Sequence, residues 1–282
     1  MLNVSKPTQW TLKEISLSSV FLVSLLAIFV LGSPYYSVFP TNQNPTYYAA
    51  ITLFFLLVTF LLRRSDDYKK YWPAAYAFFV ASFALWFLST GILNIPRSDA
   101  DPAQFIALDK LSQFAHVVLS IVVLTLLARQ DLKSIFISRG NVRRGLIFGL
   151  VSLSVFALIS FIILRGSGEY LTKIKSSLLW LLLFVFANSF MEELWFRGIF
   201  LKRLEPLIGV NLSVFMTSIA FGASHVSATY AFPGGGLVFG IVVFALGAIG
   251  AYSMYKTDSV IGAVLFHAGY DLLVLVPILE SL

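Results

Sequence analysis

Two adjacent glutamates and an arginine stand inside one long apolar stretch of this sequence. The stretch runs from Phe190 to Phe200 and reads Phe-Met-Glu-Glu-Leu-Trp-Phe-Arg-Gly-Ile-Phe. An ionised side chain at the centre of a bilayer costs roughly 3 kcal/mol on insertion scales, so such residues usually face a wet cavity or a partner. Glu192 and Glu193 are therefore candidates for general acid–base chemistry, in which a carboxylate moves the proton of a nucleophile.

Two histidines and an aspartate lie in apolar stretches farther along the chain. His225 closes the sequence Phe-Gly-Ala-Ser-His, and His267 opens the sequence His-Ala-Gly-Tyr-Asp. Helical residues four apart share a face, so Phe221 is expected beside His225, and Asp271 beside His267. Carboxylates and imidazoles that meet away from bulk water can activate a water molecule. The four candidate catalytic residues are Glu192, His225, His267 and Asp271.

Arg197 stands four residues after Glu193, so a regular helix places the two side chains on one face, where they are expected to pair. Such a pair neutralises Glu193. It leaves Glu192, which points about 100° away round the helix, available for chemistry. Three residues are therefore expected to support the site: Glu193, Arg197 and Phe221.

The candidates lie at one depth if the chain turns between them. Glu192 and His225 are 33 residues apart, and the midpoint falls within residues 205–209, where Pro206 and Gly209 suit a helix break. Lys202 marks an interface ten residues after Glu192, roughly 15 Å along a helix and half of a bilayer core. We therefore expect the site near mid-membrane, around a wet cavity that opens on the basic side.

The elements that must hold these residues are membrane helices. Of the 282 residues, 58% are hydrophobic and 12% are charged, which leaves too little polar surface for a soluble globule. Continuous apolar runs without sustained alternation favour helices over a β-barrel. The expected fold is all-α, a polytopic bundle of eight or nine membrane-spanning helices. The apolar runs cover about residues 17–31, 47–62, 73–95, 105–127, 146–164, 178–204, 212–228, 237–255 and 260–279.

Lysine and arginine are distributed unevenly between the two sides of this bundle. The amino terminus and every second connection carry fifteen of them, and the alternate connections and helix ends carry five. Positive short loops stay cytoplasmic, so we expect a multi-pass protein of the cell membrane with its amino terminus inside. The stretch from Asp131 to Arg144 is interpreted as such a basic loop, with an amphipathic segment lying on the inner leaflet as the alternative. Since no basic patch is interleaved with aromatic residues, no nucleic-acid partner is expected.

Any metal site would have to use histidine and carboxylate ligands, because the chain has no cysteine. Glu192, His225 and His267 would supply the three protein ligands that a catalytic zinc ion needs. A metal-free site, in which a carboxylate and a histidine activate water, is an equal alternative. The third histidine, His116, lies near Gln113 in an apolar run and is expected to be a packed or hydrogen-bonded residue.

Three motifs resemble those of the intramembrane CAAX-protease and bacteriocin-processing endopeptidases, the CPBP or Abi-like family. They are Glu-Glu-Leu-Trp-Phe-Arg from Glu192, Phe-Gly-Ala-Ser-His up to His225, and His-Ala-Gly-Tyr-Asp from His267. The resemblance implies an intramembrane endopeptidase that cuts a membrane-associated, prenylated or peptide substrate. By the same resemblance, Glu192 and His225 activate water, while His267 and Asp271 stabilise the oxyanion. The prenyl-protein branch carries Asn where this chain has Asp271.

The resemblance covers about residues 145–280. We therefore divide the chain into residues 1–140, transmembrane helices of unknown role, and residues 141–282, an intramembrane protease core. The expected partners are a membrane protein or peptide substrate and the lipid bilayer, with the oligomeric state left open. Two other functions fit the same residues: a proton-coupled transporter, since intramembrane Glu, His and Asp build proton relays, and a non-catalytic immunity or partner-binding member of the fold.

Overall fold

The computed structural model describes residues 11–33, 36, 44–96, 101–164, 170–227 and 235–281. Within these residues every regular element is helical, and no strand occurs. Short 3₁₀ turns at Lys69–Tyr71 and Leu132–Ile135 precede α3 and α5. The helices of the described chain are α1 (Leu12–Leu26, continued by a π-helical turn at Ala27–Leu31), α2 (Asn44–Arg64), α3 (Trp72–Thr90), α4 (Pro102–Leu127), α5 (Val142–Leu164), α6 (Tyr170–Glu192, continued by a π-helical turn at Glu193–Gly198), α7 (Leu201–His225), α8 (Gly235–Thr257) and α9 (Ile261–Ser281).

Eight of these helices are long and apolar enough to cross a membrane, counting only the described residues. They are α1 to α8, and α9 adds a shorter apolar stretch over Ile261–Val274. Each backbone N–H and C=O inside a helix finds its partner within the same segment, which is the condition for crossing a bilayer. The expected fold class is confirmed, and the protein is a multi-pass integral membrane protein.

The start of α4 is fixed by its own sequence. Asp101 accepts hydrogen bonds from the backbone N–H groups of Ala103 (3.0 Å) and Gln104 (3.2 Å), and Pro102 occupies the first turn. An aspartate cap and a proline at this position both favour helix initiation. The cap sets where α4 enters the bundle, and so sets the depth of its residue Lys110.

The break expected between α6 and α7 lies at Gly209, inside the span of α7. Its backbone angles, φ 79° and ψ 165°, are not helical and fall in a region open to glycine. The short helical piece before Gly209 carries Lys202, and the longer piece after it ends at His225. This reversal returns His225 to within 3.9 Å of Glu192.

Residues 131–144 close one end of the bundle. Ile135 and Phe136 are fully buried, and the carbonyl of Phe136 accepts a hydrogen bond from the Val260 backbone N–H at 3.0 Å. The two apolar side chains therefore insert into the protein, so the alternative of a segment lying on the leaflet is wrong. We call this the basic end, from the cations grouped there: Arg63, Arg64, Arg129, Lys133 and Lys202.

Helices of the first half hold the π-helical turn that follows Glu192. Phe29 stacks on Phe196 with a ring-centroid distance of 4.1 Å, and it meets Trp195 edge-on at 5.3 Å. The Trp195 indole donates to the carbonyl of Ala81 on α3 at 3.2 Å. These contacts hold the π-helical turn, and with it the segment that carries the first motif. Turns of this kind frequently occur at functional sites.

Candidate active site

Glu192 lies between the two predicted imidazoles. Its Oε2 atom is 3.6 Å from Nε2 of His267 and 3.9 Å from Nε2 of His225. The glutamate is 8% exposed, and the His267 side chain is almost fully enclosed. Residues from α6, α7 and α9 are thus brought together around one carboxylate oxygen.

The His225 ring is oriented by its own helix. Nδ1 lies 2.8 Å from the carbonyl of Phe221, one turn earlier. Because a carbonyl can only accept, this contact places the proton on Nδ1 and leaves Nε2 to face Glu192. The Phe221 ring packs edge-on against His225 at 4.7 Å and against His267 at 5.6 Å, so it separates the two imidazoles.

Carboxylates surround the ring of His267. Nδ1 lies 2.9 Å from Oε1 of Glu193, and Nε2 lies 3.5 Å from Oδ1 of Asp271 as well as 3.6 Å from Glu192. The expected neighbour Asp271 is present, but at more than the length of an ordinary N–H···O bond. The direct partner of His267 is Glu193, which the spacing alone does not indicate.

The expected pair of Glu193 and Arg197 is present and completely buried. Arg197 Nε donates to Oε2 of Glu193 at 2.5 Å, and Nη2 donates to Oε1. The guanidinium carbon lies 4.3 Å from the centre of the Phe221 ring, a contact that attracts a cation to the ring face. The charges of Glu193 and Arg197 therefore neutralise each other in the interior of the protein.

Two glycines of α8 make room for this pair. A Cβ atom at Gly250 would lie 3.0 Å from Oε2 of Glu193, and one at Gly247 would lie 3.3 Å from Nη1 of Arg197. Sequence reasoning missed both residues. The available signal was two glycines three apart, which share one face of an apolar helix and leave that face without side chains.

Asp271 is held by α6. Nδ2 of Asn188 donates to its Oδ2 at 3.0 Å, and the Ser189 hydroxyl lies 3.1 Å from the same oxygen. The Asn188 amide is a donor to this carboxylate, whereas the single proton of the Ser189 hydroxyl is directed at the Val185 carbonyl, 2.5 Å away. Asn188 precedes Glu192 by four residues, and Asp271 follows His267 by the same interval.

A cavity of about 370 Å³ adjoins the site. Its polar wall includes Glu192, His225 and Asp271, and much of the rest is apolar. The lining extends to Ser33 after α1 and Leu88 near the end of α3, and both lie toward the end of the bundle opposite the basic end. The expectation of a cavity that faces the basic side is therefore wrong, because the buried Arg197, Phe200 and Phe136 fill that side.

His116 is the structural residue that the sequence indicated. It is fully buried. Nε2 accepts a hydrogen bond from the backbone N–H of Leu93 at 3.0 Å, and Nδ1 lies 2.8 Å from the carbonyl of Ser112. Both ring nitrogens are used by the backbone, so His116 has no part in the site.

The fit of a metal ion can be tested on the donor positions. Two ligands, each about 2.0 Å from a tetrahedral zinc, lie about 3.3 Å apart. The separations from Glu192 Oε2 to the two Nε2 atoms are 3.6 and 3.9 Å. Over the described residues, no three His, Asp or Glu side chains are spaced to hold a metal. As placed, the three predicted ligands do not fit the ion.

Comparison with known proteins supports the resemblance seen in the motifs. No curated protein and no solved structure matches the chain. One family model does match, over residues 174–273, and its description is Type II CAAX prenyl endopeptidase Rce1-like. The matched range contains Glu192, His225, His267 and Asp271, together with their supporting residues. Over residues 174–273 this chain therefore matches the model of the Type II CAAX prenyl endopeptidase Rce1-like family.

Proposed function

We propose that this protein is an intramembrane endopeptidase in which Glu192 and His225 activate a water molecule. One observation carries the proposal: a single oxygen of Glu192 faces the Nε2 atoms of two imidazoles at 3.6 and 3.9 Å. These separations exceed a direct hydrogen bond, and a water molecule that contacts Glu192 can lie beside them. The family described for residues 174–273 acts on peptides, which agrees with this chemistry.

The reaction would proceed by attack of that water on a peptide carbonyl. Glu192 accepts one proton of the water, while the unprotonated Nε2 of His225 accepts a hydrogen bond from the other hydrogen and so orients the attacking oxygen. The new C–O bond produces a tetrahedral oxyanion. Glu192 then returns the proton to the leaving amine as the C–N bond breaks. Protons and electrons balance, since one water is added across the peptide bond.

His267 would stabilise the oxyanion. Each of its ring nitrogens faces carboxylate oxygens, so an imidazolium can donate from Nδ1 to Glu193 and from Nε2 into the site. Asp271, which accepts a hydrogen bond from Asn188, supports that charge. Preorganised donors of this kind are usually a large part of catalysis in acyl transfer.

The substrate we propose is a membrane-associated peptide, with a prenylated carboxyl-terminal segment as the first class to test. The family description names CAAX prenyl substrates, and the cavity wall supplies aliphatic and aromatic side chains for an apolar chain: Ile28, Phe29, Leu85, Leu88, Phe105 and Ile106.

The test uses the purified full-length protein in detergent or nanodiscs. Prenylated and unprenylated forms of the same peptides are incubated with wild type and with Glu192→Gln, and the products are identified by mass spectrometry. We expect cleavage by the wild type alone, at one bond. Equal product from both proteins would exclude Glu192 as the base. No cleavage, together with proton-coupled uptake in proteoliposomes, would favour the transporter.

A further inference from the structure

Lys110 is a cation placed at the site by the first half of the chain. It lies eight residues after the start of α4, about 12 Å along the helix, and its side chain is 14% exposed. Its Nζ atom lies 3.9 Å from Oε1 of Glu192, and it lines the cavity. A charged group at such depth normally pairs with another or marks a functional site.

The two oxygens of Glu192 have different neighbours. Oε1 faces Lys110, whereas Oε2 faces the imidazoles of His225 and His267. The terminal torsion of a glutamate is broad and roughly two-fold, so the carboxylate has no strong orientation of its own. A cation on one oxygen favours the orientation that presents the other to the histidines.

We infer that Lys110 is a positioning residue, which holds Glu192 with Oε2 directed at the two imidazoles. The inference rests on the proposed function, and it adds a residue from outside the range that matches the family, residues 174–273. Lys110 acts through Glu192 and does not itself meet the reacting atoms.

Charge around the cavity favours this role over the capture of an anionic substrate. Carboxylates line the cavity beside Lys110, namely Asp109, Glu192 and Asp271. Gln113, one turn farther along α4, donates to Oδ2 of Asp109 at 2.8 Å. A cation surrounded by acidic groups is already matched within the protein, so it offers little attraction to a further anion.

The first experiment compares Lys110→Met, Lys110→Arg and wild type with a cleaved peptide. We expect Lys110→Met to lower kcat by about 10- to 100-fold, the scale of a misplaced catalytic group, with KM changed by less than about twofold. Lys110→Arg keeps the positive charge, so it should retain most of the wild-type kcat. The matched control is Lys202→Met, which removes a lysine that pairs with Asp258 at the basic end, and its kcat should stay at the wild-type value.

Measurements of peptide affinity and of Tm distinguish a positioning role of Lys110 from a role in substrate binding. In the inactive Glu192→Gln background, adding Lys110→Met should leave the affinity for the uncleaved peptide unchanged. Lys110→Met should lower the Tm of the wild type but not that of Glu192→Gln, because paired residues show non-additive effects. Wild-type kcat in Lys110→Met, additive Tm changes, or lost affinity in the double variant would each overturn the inference. If the wild type cleaves no peptide, the proposed function is overturned instead. The Tm values of the single and double variants would then still show whether Lys110 and Glu192 interact.

Discussion

Oε1 of Glu193 lies 2.9 Å from Nδ1 of His267, so the carboxylate that pairs with Arg197 also holds an imidazole of the site. The buried side chain of Glu193 therefore connects Arg197, which follows α6, with the His267 ring on α9. The stability of the bundle and the orientation of His267 depend on the same two oxygens.

Replacing Glu193 with glutamine should reduce stability strongly. The change leaves Arg197 as a buried charge without its counter-ion, which costs about 3–5 kcal/mol in comparable sites. Thermal unfolding in detergent measures the effect, and Glu193→Gln/Arg197→Met, which removes both charges, should recover most of the lost Tm. A single variant as stable as the wild type would show that the pair contributes little.

Glu192→Gln should keep the fold and lose the reaction. The amide has the shape of the carboxylate but cannot take a proton from water, so we expect kcat to fall by about 10²- to 10⁴-fold. Its elution profile should remain that of the wild type, and its Tm should fall by no more than that of Lys110→Met, because both changes break the same ion pair. Retained turnover would require a different base.

Replacing His225 and replacing His116 should have opposite effects on activity and on stability. His225→Gln should lower kcat by about 10²-fold or more with little change in Tm, because its Nε2 serves the site. His116→Phe should retain kcat but lower stability by about 1–3 kcal/mol, since the Leu93 N–H loses its acceptor. Both variants are measured by peptide cleavage and by thermal unfolding. Loss of cleavage in His116→Phe at a temperature where it is folded would contradict this assignment.

Asp271→Asn should slow hydrolysis by about tenfold, equivalent to about 1.4 kcal/mol in the barrier. The amide must turn its oxygen toward Asn188, so its NH₂ group faces His267 and no longer supports an imidazolium. The exchange Asn188→Asp/Asp271→Asn also keeps a donor and an acceptor between α6 and α9, so its Tm should match that of Asp271→Asn, and kcat should not recover. A fully active Asp271→Asn would instead assign this position to donating a hydrogen bond to the oxyanion.

Chelation should leave the activity in place. The three predicted ligands are spaced more widely than a zinc ion requires, as the 3.6 and 3.9 Å separations show. Wild type is dialysed against a strong chelator, its metal content is measured by mass spectrometry, and kcat is compared before and after. Inactivation by the chelator with recovery on adding zinc would replace this mechanism with one in which Glu192, His225 and His267 hold the ion.

The sequence predicts contacts within a helix better than contacts between helices. The pairing of Glu193 with Arg197 and the nearness of His267 to Asp271 follow from four-residue spacing, and the break at Gly209 follows from local backbone preference. Bonding between Glu193 and His267 could not be predicted, because it depends on how α6 and α9 are rotated against each other. The same holds for Lys110, where one lysine in an apolar run gives no indication of its partner.

Trp195 and Phe196 depend on helices of the first half for their packing, through the ring of Phe29 and the carbonyl of Ala81. A fragment that begins at residue 141 would present Trp195 and Phe196 to acyl chains and would lack the helices that complete the cavity. We therefore expect residues 141–282 not to form a working site when they are separated from residues 1–140. Grafted without α1, α3 and α4, this fragment would insert into a membrane and remain inert, and coexpression of residues 1–140 as a separate polypeptide would be the way to restore it.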